Sequence, residues 1–422
     1  MNIARRIWGS CLLITTCMGS FGIAGLSLGF AVTLLVSLVA IEPALLKQRL
    51  SRLPLMLSAL LFLLWGLMTL AWSETNALLP TLSDWSRWLI LIPAAGFMMT
   101  DDIRHGIWRA FIAVQIILAL WSIYVAMDCF IDWAPFTQLS ECVDKRIPHG
   151  SMHTSWMLTF AASLALIWLE GRWRWVCALL LVLPLILIGN LIAFFQLALS
   201  LAVILWFATS IKPMRLQVLL ASAAIAAAAT VVNPSLQADM NQVFGSTEHE
   251  SLQTTPALQD STAQRLVFWR VSSLALRDQP LIGHGIGSWS EVYRGFQTQV
   301  QGPVSSANPQ NSYLQIAVEQ GLIGLCFFLG LIAALWQAAH WLTGFEAVAF
   351  RMLIVSFSVG SFFYNWVYDA GASRMFLVLM VLCLAGLRAP NQASKEVNAQ
   401  PKEQVQDKGR LRREKKVKKS KS

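Results

Sequence analysis

Apolar segments long enough to cross a membrane recur along most of the chain and are separated by short polar connections. Runs of roughly 17–22 apolar residues are common, and a helix of that length covers a hydrocarbon core of about 30 Å. Backbone groups in lipid must be hydrogen-bonded internally, so the segments are predicted to be helices. The pattern predicts an all-α polytopic membrane protein with about twelve transmembrane helices, over residues 7–20, 25–45, 54–72, 84–99, 107–127, 151–169, 173–189, 190–210, 216–232, 312–339, 346–365 and 371–388.

Composition supports the same class of protein. The 422 residues are 56% hydrophobic and 13% charged, with a mean hydropathy of +0.57, whereas a soluble domain carries about twice that share of charge. The first apolar segment follows Arg5 and Arg6 and resembles a signal sequence, but it leads into the second without a small-residue cleavage site. We therefore predict that it is retained.

The net charge of +9 is concentrated in residues 391–422, which contain eleven Lys or Arg and four Asp or Glu, a balance of 11 − 4 = +7. This low-complexity segment is predicted to be a disordered cytoplasmic tail. Attraction to anionic headgroups or nucleic acid is one interpretation. A solvated tail that fixes topology and touches lipid incidentally is the interpretation we adopt, with no nucleic-acid partner.

The distribution of basic residues predicts the orientation of the spans, because Lys and Arg accumulate in cytoplasmic loops. They follow spans two, four, six and eight, at Lys47, Arg49, Arg52, Arg104, Arg172, Arg174, Lys212 and Arg215. All of these loops fall on the side of the N-terminus. Both termini are therefore predicted to be cytoplasmic, with the 128–150 and 233–311 loops outside the cytoplasm.

The second half of the 233–311 loop carries a helical pattern. Leu266, Trp269, Ser273, Leu274 and Leu276 follow helical spacing from a cap at Asp260 or Ser261 to a stop at Asp278 and Pro280, and the helix bears Arg265, Arg270 and Arg277. A turn with Gly283, Gly285 and Gly287 follows. It departs from the G-x-G-x-x-G spacing of a phosphate-binding loop, so we interpret it as a tight turn.

The tenth predicted span opens with many hydrogen-bonding groups. Asn308 is predicted to cap it, with Pro309 in the first helical position and the helix start facing outward. Gln315 and Glu319 lie four residues apart on one face. An acid about two turns inside a span needs a polar cavity or a partner, and Arg374 is the candidate partner. Gly321 and Gly324 would permit close helix packing.

The cysteines indicate at most one disulfide. Cys129 and Cys142 share an outer loop, where an oxidising compartment would permit a bridge, and free thiols are equally compatible with the sequence. No CxxC pair or His/Cys cluster indicates a metal site. We predict neither a metal nor another cofactor.

Two segments carry a family resemblance. "QRLVFWRVSSLALRDQPLIGHGIGSWSEVY" has an Arg-x-x-x-Trp helix, a Pro-Leu-Ile-Gly-x-Gly turn and an aromatic residue. "NPQNSYLQIAVEQGLIGLCFF" has Asn311, nine residues, Gly321, two residues and Gly324, with an acid just before the first glycine. Together with one long outer loop before span ten, they resemble the O-antigen ligase superfamily, which includes O-antigen polymerases and pilin oligosaccharyltransferases.

The resemblance implies a GT-C-like glycosyltransferase fold, with a membrane domain over residues 1–390, the family-like region over about 180–390 and a periplasmic loop over 233–311. It implies an enzyme that moves a glycan from an undecaprenyl-pyrophosphate donor to lipid A–core or another glycan acceptor. The reaction would occur on the periplasmic side of the bacterial inner membrane. Family members of this type need no metal and invert the anomeric centre.

The resemblance also assigns candidate residues. Arg265 matches the family arginine thought to hold the pyrophosphate, and its guanidinium suits a diphosphate. Gln310 stands where the family carries a histidine, and Glu319 is the candidate carboxylate, so these three are the predicted catalytic residues. The predicted substrate-binding residues are Arg270, Asn311, Tyr313, His284 and Arg374.

The sequence departs from the family pattern at two places. Glutamine can orient a hydroxyl but has no useful basicity, so Gln310 cannot replace the base function of a histidine. Leu191 and Ile192 stand near the position of a second family arginine. Relocated substitutes for the base would be His149, His153 or His284.

Several functions stay open at this point. A polymerase or a protein O-oligosaccharyltransferase would share the chemistry of a ligase, and a catalytically inert glycolipid-binding member would explain both departures. A transporter would require paired broken helices or charge clusters along a pathway, and the nearly charge-free spans argue against it.

Overall fold

The computed structural model describes residues 3–40, 54–75, 78–91, 99–131, 139–148, 150–188, 191–208, 213–221, 223, 261–300 and 308–387. The basic tail, His149, Asp260, much of the predicted ninth span and the first part of the outer loop lie outside these residues.

The described residues form helices joined by short connections, and they contain no β-strand. Those before the long loop are α1 (Ile3–Met18), α2 (Ile23–Ala40), α3 (Pro54–Thr69), α4 (Leu78–Ser86), α5 (Asp101–Ile131), α6 (Leu139–Arg146), α7 (Gly150–Trp168), α8 (Gly171–Ile188) and α9 (Leu191–Phe207). Those after it are α10 (Ser261–Asp278), α11 (Trp289–Val300), α12 (Ser312–Ala338), α13 (Gly344–Phe363) and α14 (Ala370–Leu384). The prediction of an all-α fold is confirmed for this part of the chain.

Three of the described helices are long and apolar enough to cross a bilayer, over Asp101–Cys129, Ser312–Trp341 and Gly344–Phe363. Shorter apolar helices lie at Ile7–Met18, Ala24–Leu38, Leu57–Trp72, Ile192–Phe207 and Ala370–Leu384. Large apolar side chains are exposed on the outside of the bundle, as in residues that face lipid; Leu28, Leu35 and Trp206 are examples. The chain is a membrane protein, and the number of its spans stays a prediction.

The centre of the bundle is α14. Its residues from Met375 to Leu384 are at most 2% exposed, which is typical of a helix that is apolar all round and enclosed by others. It packs against α1, α2 and α13, while α7 packs against α5, α8, α9 and α13. The two central helices therefore hold the starts of their neighbours in fixed positions.

Helix α12 is interrupted at Gly321, whose φ of 70° and ψ of −176° lie outside the helical region. A β-carbon on this residue would lie 2.0 Å from the carbonyl oxygen of Leu281. Only glycine therefore permits both the backbone conformation and the close approach of the turn. Gly324, by contrast, lies in helix and lets the Trp65 ring of α3 pack closely, as its small size predicts.

The turn at residues 280–287 binds the backbone groups that the break in α12 releases. Irregular backbone at this position is tolerated because it is buried in protein and hydrogen-bonded. The bonds join His284 N to Val318 O at 2.9 Å, Gly285 N to Glu319 O at 2.7 Å, Leu322 N to Pro280 O at 2.9 Å, and Trp65 Nε1 to Gln320 O at 2.9 Å. The glycine turn is thus a tight turn, as predicted, and it stabilises a broken helix.

Helix α10 has the predicted bounds, and one of its faces is buried. Leu266 is 58% exposed, whereas Phe268, Val271 and Ala275 are buried. These three side chains pack against α11, a helix that the pattern did not predict. The buried face of α10 is therefore the one that packs against α11.

Cys129, at the end of α5, and Cys142, in α6, form a disulfide. This is the bridge that the sequence permitted. Around it, Val125, Val143 and Ile147 form a small buried cluster. The bridge connects α5 to the segment that precedes α7.

Candidate functional site

A polar cavity of about 520 Å³ opens among the starts of α7, α12 and α14. Its walls come from segments that are far apart in the chain. The charged and amide side chains that line it are Asp84, His153, Asn308, Gln310, Gln315, Glu319, Asn365 and Asp369, and aromatic residues that line it are Trp289, Tyr364, Trp366 and Tyr368. Two of the predicted catalytic residues, Gln310 and Glu319, therefore share one cavity.

Arg265, in the first turns of α10, lies beside this cavity. Its Nε donates a hydrogen bond of 2.9 Å to Gln310 Oε1, and its guanidinium lies 5.2 Å from the centre of the Tyr364 ring. The third predicted catalytic residue is thus in contact with two residues that line the cavity. Since Nε is engaged with the amide, the terminal nitrogens remain the groups suited to an anionic ligand.

The backbone at Gln310 explains how its side chain is directed toward Arg265. Gln310 has a φ of 50°, a left-handed conformation that non-glycine residues rarely adopt. Its amide donates to the Asn308 side chain at 2.9 Å, which closes a local turn before the helix.

The start of α12 differs from the prediction. Asn311, rather than Asn308, is the N-cap, and its side-chain oxygen accepts from the Leu314 amide at 3.1 Å. The predicted cap at Asn308 was wrong because the left-handed Gln310 separates that residue from the helix. The first helical residue, Ser312, accepts a hydrogen bond from the Val367 amide at 3.1 Å. The start of α12 is therefore attached to the segment that carries Tyr368 and Asp369.

Glu319 is fully buried in the cavity wall. Its Oε1 accepts a hydrogen bond of 2.8 Å from Gln315 Nε2, one turn earlier on α12. The Tyr368 hydroxyl and the backbone N–H groups of Gly287 and Trp289 lie near the same carboxylate. None of them is placed well enough to donate a hydrogen bond to Oε2. A buried carboxylate surrounded by donors and facing a cavity suits the binding of a hydroxyl group.

A second set of charges lies around Asp84 and Asp369, which line the cavity, and Arg87, which does not. Arg87 is 2% exposed, pairs with Asp84, and donates to the carbonyl oxygens of Tyr368 at 3.2 Å and Asp369 at 2.8 Å. A buried cation is costly unless it is paired, and the terminal nitrogens of Arg87 carry this pairing. Arg87, directly after α4, therefore links this part of the chain to Tyr368 and Asp369, the residues that precede α14.

His153 and Asp369 form a pair at the cavity edge, with 2.8 Å between Nε2 and Oδ1. Asp369 also caps α14 by accepting from the Ala372 amide at 2.7 Å. Burial acts to raise the pKa of the Asp369 carboxyl, but the bond and charge of His153 and the N–H groups of Ala372 and Gly371 outweigh it and hold the pKa below its usual range. The carboxylate form is favoured.

The remaining predicted residues lie outside the cavity lining. His284 Nε2 lies 3.1 Å from the Ala275 carbonyl, Tyr313 donates to the Ser358 carbonyl at 3.0 Å, and Arg270 is exposed on α10. Arg374 donates to Ser27 at 2.6 Å rather than pairing with Glu319, whose hydrogen-bond partner is Gln315. The hypothesis of a Glu319–Arg374 pair was therefore wrong.

Asp84 and Arg87 were not among the predicted site residues, whereas the sequence offered Tyr368 and Asp369, between the last two predicted spans, either as sugar contacts or as an ordinary loop. One signal was available, because Arg87 falls inside a predicted span, where a charge marks a buried partner or a site. Asp84 and Arg87 pair within three residues of chain, whereas Asp369 reaches them only because the segment before α14 packs against the residues that follow α4.

Comparison with known proteins bears on the same region. Residues 192–329 match the family model described as O-antigen ligase. A protein of Rickettsia conorii named "Putative polysaccharide ligase" is 29% identical over 136 residues, which cover 30% of this chain and 33% of that relative. The resemblance to the O-antigen ligase superfamily is confirmed. The matched family region contains Arg265, Gln310 and Glu319, and it ends before the segment that carries Asp369.

Proposed function

We propose that this chain is an O-antigen ligase-like glycosyltransferase that moves a glycan from undecaprenyl pyrophosphate to lipid A–core on the periplasmic side of the inner membrane. The family match supports a polysaccharide ligase-type activity. The observation that carries the proposal is the contact between Arg265 and Gln310 at a cavity whose wall contains the buried Glu319.

In this proposal the acceptor hydroxyl oxygen forms a bond to the anomeric carbon while the bond from that carbon to the diphosphate oxygen breaks. Negative charge grows on the leaving diphosphate, and the terminal nitrogens of Arg265 stabilise it. The cation–π contact with Tyr364 fixes the plane of the guanidinium. The products are the glycosylated acceptor and undecaprenyl pyrophosphate.

The proton of the acceptor hydroxyl needs a destination. Glu319 is the proposed recipient, since α12 presents this carboxylate to the cavity and its Oε2 has no hydrogen-bond partner within the described part of the chain. Gln310 orients the acceptor or the arginine by hydrogen bonding and takes no proton. Metal-independent catalysis with inversion is part of the same proposal.

A catalytically inert, glycolipid-binding member of the superfamily is the second candidate. The observation that favours it is Gln310 itself, which occupies the position of the family histidine and is already bonded to Arg265. A polymerase or a protein O-oligosaccharyltransferase would use the same site with another acceptor.

Expression in a ligase-deficient Gram-negative strain tests the proposal, with O-antigen-capped lipopolysaccharide as the readout. The native chain is expected to cap lipid A–core, and Arg265→Gln and Glu319→Gln to reduce capping at least a hundredfold, the usual scale for a transition-state contact. Arg277→Gln is the matched control, because Arg277 is an exposed arginine on the same helix, and it should retain capping.

The amount of each variant in the membrane must equal that of the native protein, so that a loss of capping reflects lost activity and not poor expression. Capping that appears only in Gln310→His would identify the inert member. Capping that survives in Arg265→Gln would refute the proposed role of the guanidinium.

A further inference from the structure

A narrow apolar groove lies along the outer side of α8, away from the polar cavity. Its lining comes from α7, α8, α9 and the described segment at 213–221, and includes Trp175, Ala178, Val182, Leu197, Leu201 and Val218. Leu179, also in the lining, is 55% exposed, so the groove is open at the surface of the bundle. The Trp175 indole nitrogen is the one polar side-chain atom among the described lining residues, so the groove suits hydrocarbon and not water.

The dimensions of the groove suit a single hydrocarbon chain. Its volume is about 40 Å³, which holds a few methylene groups but not a helix about 10–12 Å across. From Trp175 to Val182 it extends along about 10 Å of helix. Val176, Leu179 and Leu183 continue this apolar surface and are 45–55% exposed. A membrane supplies chains of this kind as the acyl tails of its lipids.

The end of the groove at the start of α8 is basic. Arg172 lies three residues before Trp175, and Arg174 lies four residues before Ala178. Residues three or four apart lie on the same face of a helix. Both arginines therefore stand on the side of α8 that forms the groove.

Arg174 brings a third arginine to the same end. Its Nε donates to the Leu169 carbonyl at 2.8 Å, and its Nη1 lies 3.2 Å from the Met214 sulfur. Arg215 follows Met214 directly and is exposed. Arg172, Arg174 and Arg215 thus form a basic rim at this end of the groove.

The charge of the rim is largely uncompensated. The ion pairs within the described part of the chain include none of the three rim arginines, and Glu170 is the one acid beside them in the sequence. Arg172 also lies 5.5 Å from the ring centre of Trp173, which is 60% exposed. Exposed tryptophan at the end of a span is typical of the headgroup level of a bilayer.

We propose that the groove and its rim bind an anionic phospholipid. One acyl chain lies along α8 in the groove, and the headgroup phosphate contacts Arg172, Arg174 and Arg215. Basic pockets between transmembrane helices recognise anionic headgroups in this way. In the predicted orientation the lipid belongs to the cytoplasmic leaflet, so this site is independent of the proposed glycosyl transfer.

The distance along α7 separates the two sites. His153, near the start of α7, lines the polar cavity, whereas Ala162 and Leu166 line the groove. These positions are about 13–20 Å apart along the helix at about 1.5 Å per residue. A lipid in the groove therefore leaves the cavity open.

Lipid binding to the full-length protein in detergent micelles tests the proposal. Phosphatidylglycerol and phosphatidylcholine with the same acyl chains are titrated, and bound lipid is counted by native mass spectrometry. Phosphatidylglycerol should bind about fivefold more tightly or better, and Arg215→Gln should weaken its binding roughly fivefold, the contribution of one arginine near an anionic headgroup. Binding of phosphatidylcholine should be unchanged in this variant.

A phosphatidylglycerol with a diazirine in one acyl chain locates the bound tail. Peptide mapping after photolysis should find the label on residues 175–182, 197–201 or 218–221. Ala178→Leu fills the groove and should remove this label, whereas Ala31→Leu, at an exposed position of α2, should retain it. Arg277→Gln, at an exposed arginine of α10, is the control for the rim and should bind phosphatidylglycerol as the native protein does.

The proposal is overturned if phosphatidylcholine binds as tightly as phosphatidylglycerol, if Arg215→Gln leaves phosphatidylglycerol binding unchanged, or if the label misses the groove. Because Arg215 is exposed, its replacement tests the rim without disturbing the packing of the helices. Competition by soluble glycerol phosphate would assign the rim to a free phosphate and also overturn the proposal. A dimer whose crosslinks join two copies at the groove would assign the groove to a second copy of the chain instead.

Discussion

Single residues in this site carry more than one role. Asp369 caps α14, accepts from His153 and presents its carbonyl oxygen to Arg87. Gln310 adopts a left-handed conformation that directs its side chain to Arg265. Such positions persist only where the surrounding structure determines them, and they are frequent at functional sites.

The low pKa of Asp369 predicts a pH dependence of stability. A carboxyl whose pKa is lower in the folded than in the unfolded protein stabilises the fold above its unfolded pKa of about 3.9. That stabilisation is lost as the pH falls through the folded pKa. Thermal unfolding in detergent should therefore show the native protein losing stability below about pH 4. The Asp369→Asn variant should be less stable than the native protein by on the order of 1 kcal/mol at pH 7. It should lose less stability than the native protein as the pH falls, because it has no carboxylate at this position to protonate.

Asp102, an exposed carboxylate at the start of α5, provides the control. Asp102→Asn should follow the native pH profile. An Asp369→Asn profile parallel to that of the native protein from pH 7 to 3 would show that the carboxylate contributes nothing to folding.

At the scale of elements, the break in α12 and the glycine turn form one unit. The turn replaces the helical hydrogen bonds lost at Gly321, and Trp72 and Ser73, after α3, donate to the turn carbonyls at 3.0 and 2.7 Å. This unit sets the position of Glu319, which lies two residues before the break. A transporter would use the unpaired backbone groups of broken helices to bind its substrate. Here the backbone groups around the break in α12 are hydrogen-bonded to the glycine turn.

Gly321→Ala should disrupt this unit. The β-carbon would meet the Leu281 carbonyl, and the backbone conformation is one that alanine rarely adopts, so we expect a loss of about 2–4 kcal/mol. Gly330→Ala is the matched control, because Gly330 lies in the same helix and its β-carbon would meet nothing within 4 Å. Thermal unfolding followed by tryptophan fluorescence should show a change for Gly330→Ala within about 0.5 kcal/mol.

At the scale of the whole molecule, the site lies at the end of the bundle where α7, α12 and α14 begin. The Cys129–Cys142 disulfide connects the end of α5 to the segment before α7, so the bridge belongs to the same end. Disulfides persist in oxidising compartments. The bridge therefore favours the predicted orientation, in which this end faces away from the cytoplasm.

Cysteine labelling in cells tests this orientation. Cys129 and Cys142 should resist maleimide-polymer labelling of the denatured protein until it is reduced, and the double serine variant should be roughly 3 kcal/mol less stable. Cys326→Ser, at an exposed cysteine on α12, should leave stability unchanged. Labelling of both loop cysteines without reduction would place this end of the bundle in a reducing compartment.

The sequence alone determined the properties that depend on local pattern and composition. Hydropathy and period predicted the all-α membrane fold and the bounds of α10. Motif spacing indicated the resemblance to the O-antigen ligase superfamily and made Arg265 and Glu319 candidate site residues. These features are encoded within a few turns of chain, where neighbours in sequence are neighbours in space.

Tertiary structure decided everything that depends on contacts between distant segments. The buried face of α10 depends on α11, the contact of Gln310 with Arg265 joins the start of α12 to α10, and the cavity brings together Asp84, His153 and Asp369. Side chains this far apart in the chain meet because the packing of the helices brings them together. The hydrophobic pattern along one segment does not indicate which other segments will pack against it.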